Sequence, residues 1–192
     1  KSGITSSGAK AASSHTGALA GREAAFDAAF KQSGIIRAHT INELFNYALA
    51  FANQPLPQGP NVAIITNSGG PGILAADACD KSDLKLAPPH KEIVDELRTF
   101  LPPVASFYNP VDILGDAGSD RYEKAITTVL KDDKIQGIMV LLTPTATVDV
   151  EATAIAVANI ANETDRPILT SFMGKKSIEE AAKTLLSYGV PN

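Results

Sequence analysis

Large hydrophobic side chains are almost absent from the start of the chain: between Ser2 and Ala18 the one example is Ile4, set among serine, alanine, glycine and threonine. A segment with so little to bury leaves its ordering entropy uncompensated and is expected to move. Helical periodicity begins at Glu23. Phe26 and Phe30 fall one turn apart with Ala25 and Ala29 beside them, and Gly34 stands where a left-handed cap ends a helix over 23–33. A short strand, Ile35-Ile36, is expected to follow. Thr40 and Glu43 then read as a capping box for a helix whose Ile41, Leu44, Phe45, Ala48, Leu49 and Ala52 make one apolar stripe. Pro55-Leu56-Pro57-Gln58-Gly59-Pro60 cannot continue that helix and reads as a stiff connector. The pattern therefore predicts a division into 1–54, a linker 55–60 and a domain over 61–192.

From Asn61 onward short apolar runs alternate with helical patterns, which predicts an α/β domain with a parallel sheet and helices on both faces. Strands are predicted at 62–66, 84–86, 135–142 and 167–172, and helices near 71–81, 91–100, 120–131 and 149–162. Ser177 with Glu180 is expected to cap a final helix. The stretch 101–116 has three prolines and the pair Phe107 and Tyr108, and reads as a long irregular loop of the kind that often carries function.

Composition narrows the classes. The 192 residues carry a formal charge of −4 with acids and bases mixed along the chain, so no basic face for nucleic acid emerges and no apolar run is long enough to cross a bilayer. No nucleic-acid partner and no membrane association are expected. The lone Cys79 rules out an internal disulfide, suits a reducing, cytoplasmic setting, and reads as a small helix residue among alanines. The chain starts at Lys1 and stops at Pro191-Asn192 just after a strand is expected to begin, which suggests a fragment.

Candidate chemistry centres on His15, in the run Ser14-His15-Thr16-Gly17-Ala18-Leu19-Ala20-Gly21. An imidazole with an ordinary pKa of ~6.5 is mostly neutral at cytoplasmic pH and so is a competent nucleophile. The hydroxyls of Ser13, Ser14 and Thr16 suit a following helix N-terminus or phosphate oxygens. Residues 1–22 contain no acid, and on composition alone they read equally as a transit peptide or an unstructured terminus. Two loops follow predicted strands. Asn67-Ser68-Gly69-Gly70-Pro71-Gly72 reads either as a tight turn needing positive φ or as backbone N–H groups approaching an anion. Thr143-Pro144-Thr145-Ala146-Thr147-Val148 reads either as helix capping or as a set of phosphate-binding hydroxyls. Asn109-Pro110-Val111-Asp112 offers an amide and a carboxylate, with an Asx turn as the plain alternative. His39 and His90 have no spaced metal-ligand partner, so no metal site is expected.

Lys1-Ser2-Gly3 followed by the Ser14 to Gly21 run resembles the phosphohistidine segment of the ADP-forming acyl-CoA synthetases, relatives of succinyl-CoA synthetase. The Asn67 to Gly72 and Asn109 to Asp112 segments occur in the same order as in that family, so the resemblance covers nearly the whole chain. It implies a flavodoxin-like doubly wound parallel sheet over 61–192, preceded by the C-terminal part of a second α/β domain that bears the phosphohistidine. It also implies interconversion of acyl-CoA, ADP and phosphate with acid, CoA and ATP, with His15 as the catalytic nucleophile. Ser14, Thr16, Gly17, Gly69, Gly70, Thr145 and Thr147 become phosphate-binding residues, and Asn109 and Asp112 orienting groups. The complete enzyme is expected to use CoA, ADP or ATP and magnesium, none of them bound by this part alone. Its partners are expected to be an ATP-grasp domain or β subunit and a CoA-binding Rossmann domain, in an oligomer. A second reading is the synthetase-like regulatory module of a bacterial protein lysine acetyltransferase; those modules tend to lose the histidine, which is intact here. A receiver-like domain needs acids at the strand ends, where Asn67 and Thr143 stand instead.

Overall fold

The computed structural model describes residues 3–16 and 23–192 and falls into two compact units, Lys1–Phe45 and Asn46–Asn192. In the first unit, residues expected to lack regular structure form helix α1 (Ser6–Thr16). Alanine supplies the helix propensity that the missing apolar face does not. Thr5 caps its start, its Oγ1 accepting the Gly8 N–H at 3.1 Å. The Ser14 hydroxyl turns back to donate to Lys10 O at 2.9 Å. Helix α2 (Glu23–Gln32) stacks Phe26 and Phe30 edge to face at 6.1 Å, and Gly34 closes it with φ +66°. Ile35 and Ile36 are exposed and form no strand. Helix α3 (Ile41–Asn53) opens with a capping box displaced by one residue. Thr40 Oγ1 accepts the Glu43 N–H at 3.0 Å, while the Glu43 carboxylate accepts from His39 N rather than Thr40 N.

The second unit is built on five parallel strands: β1 (Asn61–Thr66), β2 (Lys85–Leu86), β3 (Val111–Asp112), β4 (Gly137–Leu142) and β5 (Ile168–Phe172). The order is β2-β1-β4-β5, with β3 also on β1. β2 meets β1 at Asn61 and Val62, β3 meets it at Ile65 and Thr66, so the two short strands follow one another along the same edge. Helices α4 (Gly69–Asp80), α5 (Lys91–Phe100), α6 (Ser119–Leu130), α7 (Val150–Asn162) and α8 (Glu179–Ser187) connect and cover the strands.

Alternation along the strands sorts the core into two faces. Ala63, Ile65, Ile138, Val140, Leu142, Ile168 and Phe172 face one way, with Leu97, Ile126, Val157 and Leu185 from α5 to α8 packed among them. Val62, Ile64 and Leu141 face the other way, against Cys79 and Ala75 of α4. Each fully buried Ile or Leu of this set contributes about 2 kcal/mol of apolar burial. Burial pushes the Cys79 thiol above its ordinary pKa, with Asp80 adding to the effect, as befits a packed side chain rather than a reactive one.

Residues 46–54 pack with this unit, so the last part of α3 precedes the proline-rich connector as part of it. Gln54 is the physical reason: its Nε2 donates to Gly189 O at 2.7 Å and its Oε1 accepts from Ile168 N at 2.8 Å. The expected Ser177 and Glu180 cap does not form. A 3-10 turn over Lys176–Ile178 leads into α8, no side chain caps the helix, and Glu180 pairs with Lys183. Beyond α8 no strand follows, but Pro191 O accepts the Thr170 N–H at 2.9 Å along the β5 edge. Among the described residues, no helix is long and apolar enough to cross a membrane.

Candidate functional site

Of the candidate residues in the first unit, Ser14 is exposed near the end of α1 and His15 and Thr16 complete that helix along their backbone. Gly17 lies outside the described residues.

In the second unit, candidate residues meet at the carboxyl ends of β1, β3 and β4, where an open parallel sheet places its ligands. The turn out of β1 is tied by Thr66, whose Oγ1 accepts from Ser68 N at 3.0 Å and donates to Ser68 O at 2.9 Å. Ser68 is the N-cap of α4, in extended conformation and with no side-chain cap bond. The first-turn N–H groups at Gly69 and Gly70 therefore keep the orphan donors and the positive dipole end of a helix start. None of the glycines in 69–72 has positive φ, so a strained turn does not account for them. A Cβ on Gly72 meets Thr66 Cγ2 at 3.0 Å, whereas one on Gly70 meets nothing within 4 Å. Gly72 serves close packing; Gly70 keeps the helix end open.

Across from this turn, the buried Asn67 binds the main chain of Thr143 with both ends of its amide, donating at 2.9 Å and accepting at 2.8 Å. Thr145 Oγ1 donates to Gly115 O at 2.9 Å and lies 3.2 Å from Thr147 Oγ1. Neither threonine caps α7. Asp149 does so, its carboxylate accepting the Ala152 N–H at 2.9 Å, so the capping alternative for Thr145 and Thr147 falls away. The 143–148 loop leaves two exposed hydroxyls beside a helix whose own start is already neutralised.

The third loop runs beneath both. Asp112 Oδ1 accepts the Leu114 N–H at 3.0 Å in an Asx turn, and Leu114 takes φ +72°. Its other oxygen, Oδ2, comes within 3.4 Å of a Cβ built on Gly69, beside the α4 start. Below it Tyr122 is fully buried and donates to Leu141 O at 2.9 Å. Burial raises its phenol pKa strongly, opposed by the Asn67 backbone and reinforced by the Asp112 charge, so it stays protonated.

Asn109 is not available to orient anything. Its amide donates to Val62 O at 2.7 Å and Ala87 O at 3.1 Å and accepts from Ile64 N at 2.9 Å, filling the gap that the short β2 and β3 leave along β1. His90 has partners after all. Its ring lies 2.8 Å from the buried Asp132 and 3.7 Å from Asp133. Asp132 Oδ2 also accepts His90 N, and Asp132 Oδ1 accepts Lys134 N. Burial would raise the Asp132 pKa, but these N–H donors and the His90 ring hold it below the ordinary carboxylate range. Asp132 lies 42 residues from His90 in sequence, a separation that no local ligand spacing reveals. An apolar cavity of about 290 Å³ between Tyr47, Phe51, Leu56, Val62, Met139 and Leu169 lies elsewhere in the unit. The one amide on its wall, Gln54, is already spent on Gly189 and Ile168.

Residues 62–192 match the family model described as a Ligase-CoA domain, and residues 1–51 match the one described as a succinyl-CoA ligase like flavodoxin domain. The flavodoxin description thus attaches to the N-terminal match, while the parallel sheet lies in the Ligase-CoA match. The chain is 44% identical over 192 residues to an ADP-forming acetate–CoA ligase I of Archaeoglobus fulgidus, covering all of this chain and 27% of that protein. It is 42% identical to the alpha subunit of an ADP-forming acetate–CoA ligase II of Pyrococcus furiosus, covering all of this chain and 42% of that one. An ADP-forming 4-hydroxybutyrate–CoA ligase of Nitrosopumilus maritimus is also 42% identical, over 91% of this chain and 25% of its own length. Among solved structures, the dinucleotide-forming acetyl-coenzyme A synthetase 1 of Ca. Korarchaeum cryptofilum, in complex with phosphate and ADP, matches with a TM-score of 0.91 and 33% identity. The match covers 98% of this chain and 41% of that one. The chain therefore spans between a quarter and about two-fifths of the length of these relatives.

Proposed function

Because the chain belongs to the Ligase-CoA domain family, we propose that it is the phosphohistidine-bearing part of an ADP-forming acyl-CoA synthetase. The relatives named above are ligases, which favours a catalytic part over an acetyltransferase module. His15 is the nucleophile. A neutral ring nitrogen attacks the phosphorus of an acyl phosphate; the N–P bond forms as the P–O bond breaks, and the bonding pair leaves on the carboxylate. The phosphoryl group then passes from His15 to ADP, giving ATP and regenerating the free ring. The complete enzyme adds the CoA-binding and ATP-grasp parts and takes acyl-CoA, phosphate, ADP and magnesium. Their assembly is an oligomer in the cytoplasm.

The observation that carries this reading is the uncapped start of α4, where Gly69 and Gly70 present first-turn N–H groups beside the exposed Thr147 hydroxyl, itself 3.2 Å from the Thr145 Oγ1 that Gly115 O holds in place. Preorganised donors of this kind stabilise the charge of a phosphoryl group in transit without reorganising at the moment of reaction. Ser14, Thr16 and Gly17 contribute phosphate contacts next to the histidine, and Asp112 Oδ2, beside Gly69, is the orienting carboxylate of the α4 start. The test is Gly70→Val in the complete enzyme: the variant keeps its backbone N–H but sets a branched side chain in the open space at the helix start, and is expected to slow phosphoryl transfer on the order of a hundredfold by displacing the phosphoryl group. An unchanged transfer rate in the folded variant overturns the cradle.

A further inference from the structure

The pairing of β1 with β4 runs from Val62↔Gly137 to Thr66↔Leu141. Beyond it the two backbones diverge into the two loops that the proposed function uses, and Asn67 replaces the next rungs of the ladder. The residue is 2% exposed. Its amide meets one peptide residue, Thr143, as donor to the C=O and acceptor from the N–H. Thr143 Oγ1 is buried with no partner, so its main chain is held while its side chain ties it to nothing. A third loop joins at the same point: a Cβ on Gly115 lies 3.7 Å from Asn67 O and 3.9 Å from Thr145 Cγ2.

We propose that Asn67 is a positioning residue for phosphoryl transfer, fixing the spacing between the start of α4 and the 143–148 loop so that N–H groups and hydroxyls meet one phosphoryl group. The proposal rests on the reading that these loops receive the phosphate. Asn67 touches no substrate. A carboxamide suits the task because it presents a donor and an acceptor side by side in one plane, the complement of a peptide C=O and N–H. An ionised carboxylate in its place keeps the acceptor but turns a lone pair on Thr143 O, which pushes the loops apart. The protonated acid restores the donor. Asn67→Asp therefore carries its own chemical rescue, and because burial beside a carbonyl favours the neutral form, that rescue arrives as pH falls.

The experiment measures single-turnover phosphoryl transfer in the complete enzyme, as the ratio of Asn67→Asp to wild type, with thermal unfolding recorded on the same samples. The expected ratio is about one-tenth or lower at pH 8, given how steeply transfer depends on placement, rising to within about threefold of wild type near pH 6 as the acid protonates. Asn67→Ser, which puts one hydroxyl in place of the amide and can serve only one of the two bonds, is expected to fall between, and stands in if the aspartate variant fails to fold. Transfer within twofold of wild type at pH 8 in a folded variant overturns the proposal, as does a deficit that ignores pH. Gly70→Val runs beside it. If that variant is slow while Asn67→Asp is normal, the positioning role alone falls; if both are normal, the cradle falls with it.

Discussion

Asn109 gives Ile64 the hydrogen bond that no neighbouring strand supplies, its Oδ1 accepting the Ile64 N–H at 2.9 Å. With its two donors on Val62 O and Ala87 O, one amide keeps three buried backbone groups paired. Removing it strands all of them, and an unpaired buried group costs more than a bond contributes.

Asn109→Ala is accordingly expected to lower the unfolding free energy by about 3 kcal/mol. Phosphoryl transfer should stay near normal where the variant is folded. Denaturant unfolding checks the first part, and a loss under about 0.5 kcal/mol would show that the gap beside β1 is filled some other way.

Gly70 and Gly72 separate access from packing. Gly70→Ala adds a methyl group into open space at a helical position, and is expected to be neutral or to stabilise by about 0.5 kcal/mol. Gly72→Ala drives a Cβ against Thr66 Cγ2 at 3.0 Å and is expected to cost about 1–3 kcal/mol. Equal effects in calorimetry would contradict the assignment.

Asp149 supplies the cap of α7. Asp149→Ala is expected to cost about 1 kcal/mol and to leave transfer unchanged, whereas Thr145→Val and Thr147→Val should slow transfer by far more than they alter stability. A transfer defect confined to Asp149→Ala would move the chemistry from the hydroxyls to the helix end.

Asp132 makes the fold sensitive to acid. Its folded pKa is depressed, so its contribution is present above the unfolded value of about 4 and is lost as pH falls through the folded value. Asp132→Asn should flatten the stability profile between about pH 5 and pH 2. An acid limb as steep as wild type would place the sensitivity in other carboxylates.

Where apolar periodicity was strong, the sequence was readable: the helix predicted over 91–100 is α5 (Lys91–Phe100) residue for residue. α1 escaped because an alanine and serine helix has no apolar face to reveal it, and β3 because its two residues lie inside the proline-rich stretch 101–116 that reads as a loop. The glycine-rich turn could be located, but only the geometry separates Gly70, which keeps space open, from Gly72, which fills it. Asn109 stood out as chemistry in a motif, yet its amide completes a sheet edge, a demand set by strands nearly 50 residues away in sequence. Asn67 sat inside a motif that drew attention to its glycines, and its bond to Thr143 links two loops that only folding brings together.

In the proposed relay His15 carries the phosphoryl group. The direct measurement incubates the complete enzyme with labelled phosphate and acyl-CoA, or with labelled ATP and magnesium, and maps the acid-labile phosphate. Label is expected on His15, and none in His15→Ala, which should remain folded because no described residue of its helix is buried. Label on another residue, or undiminished labelling and turnover in His15→Ala, would contradict it.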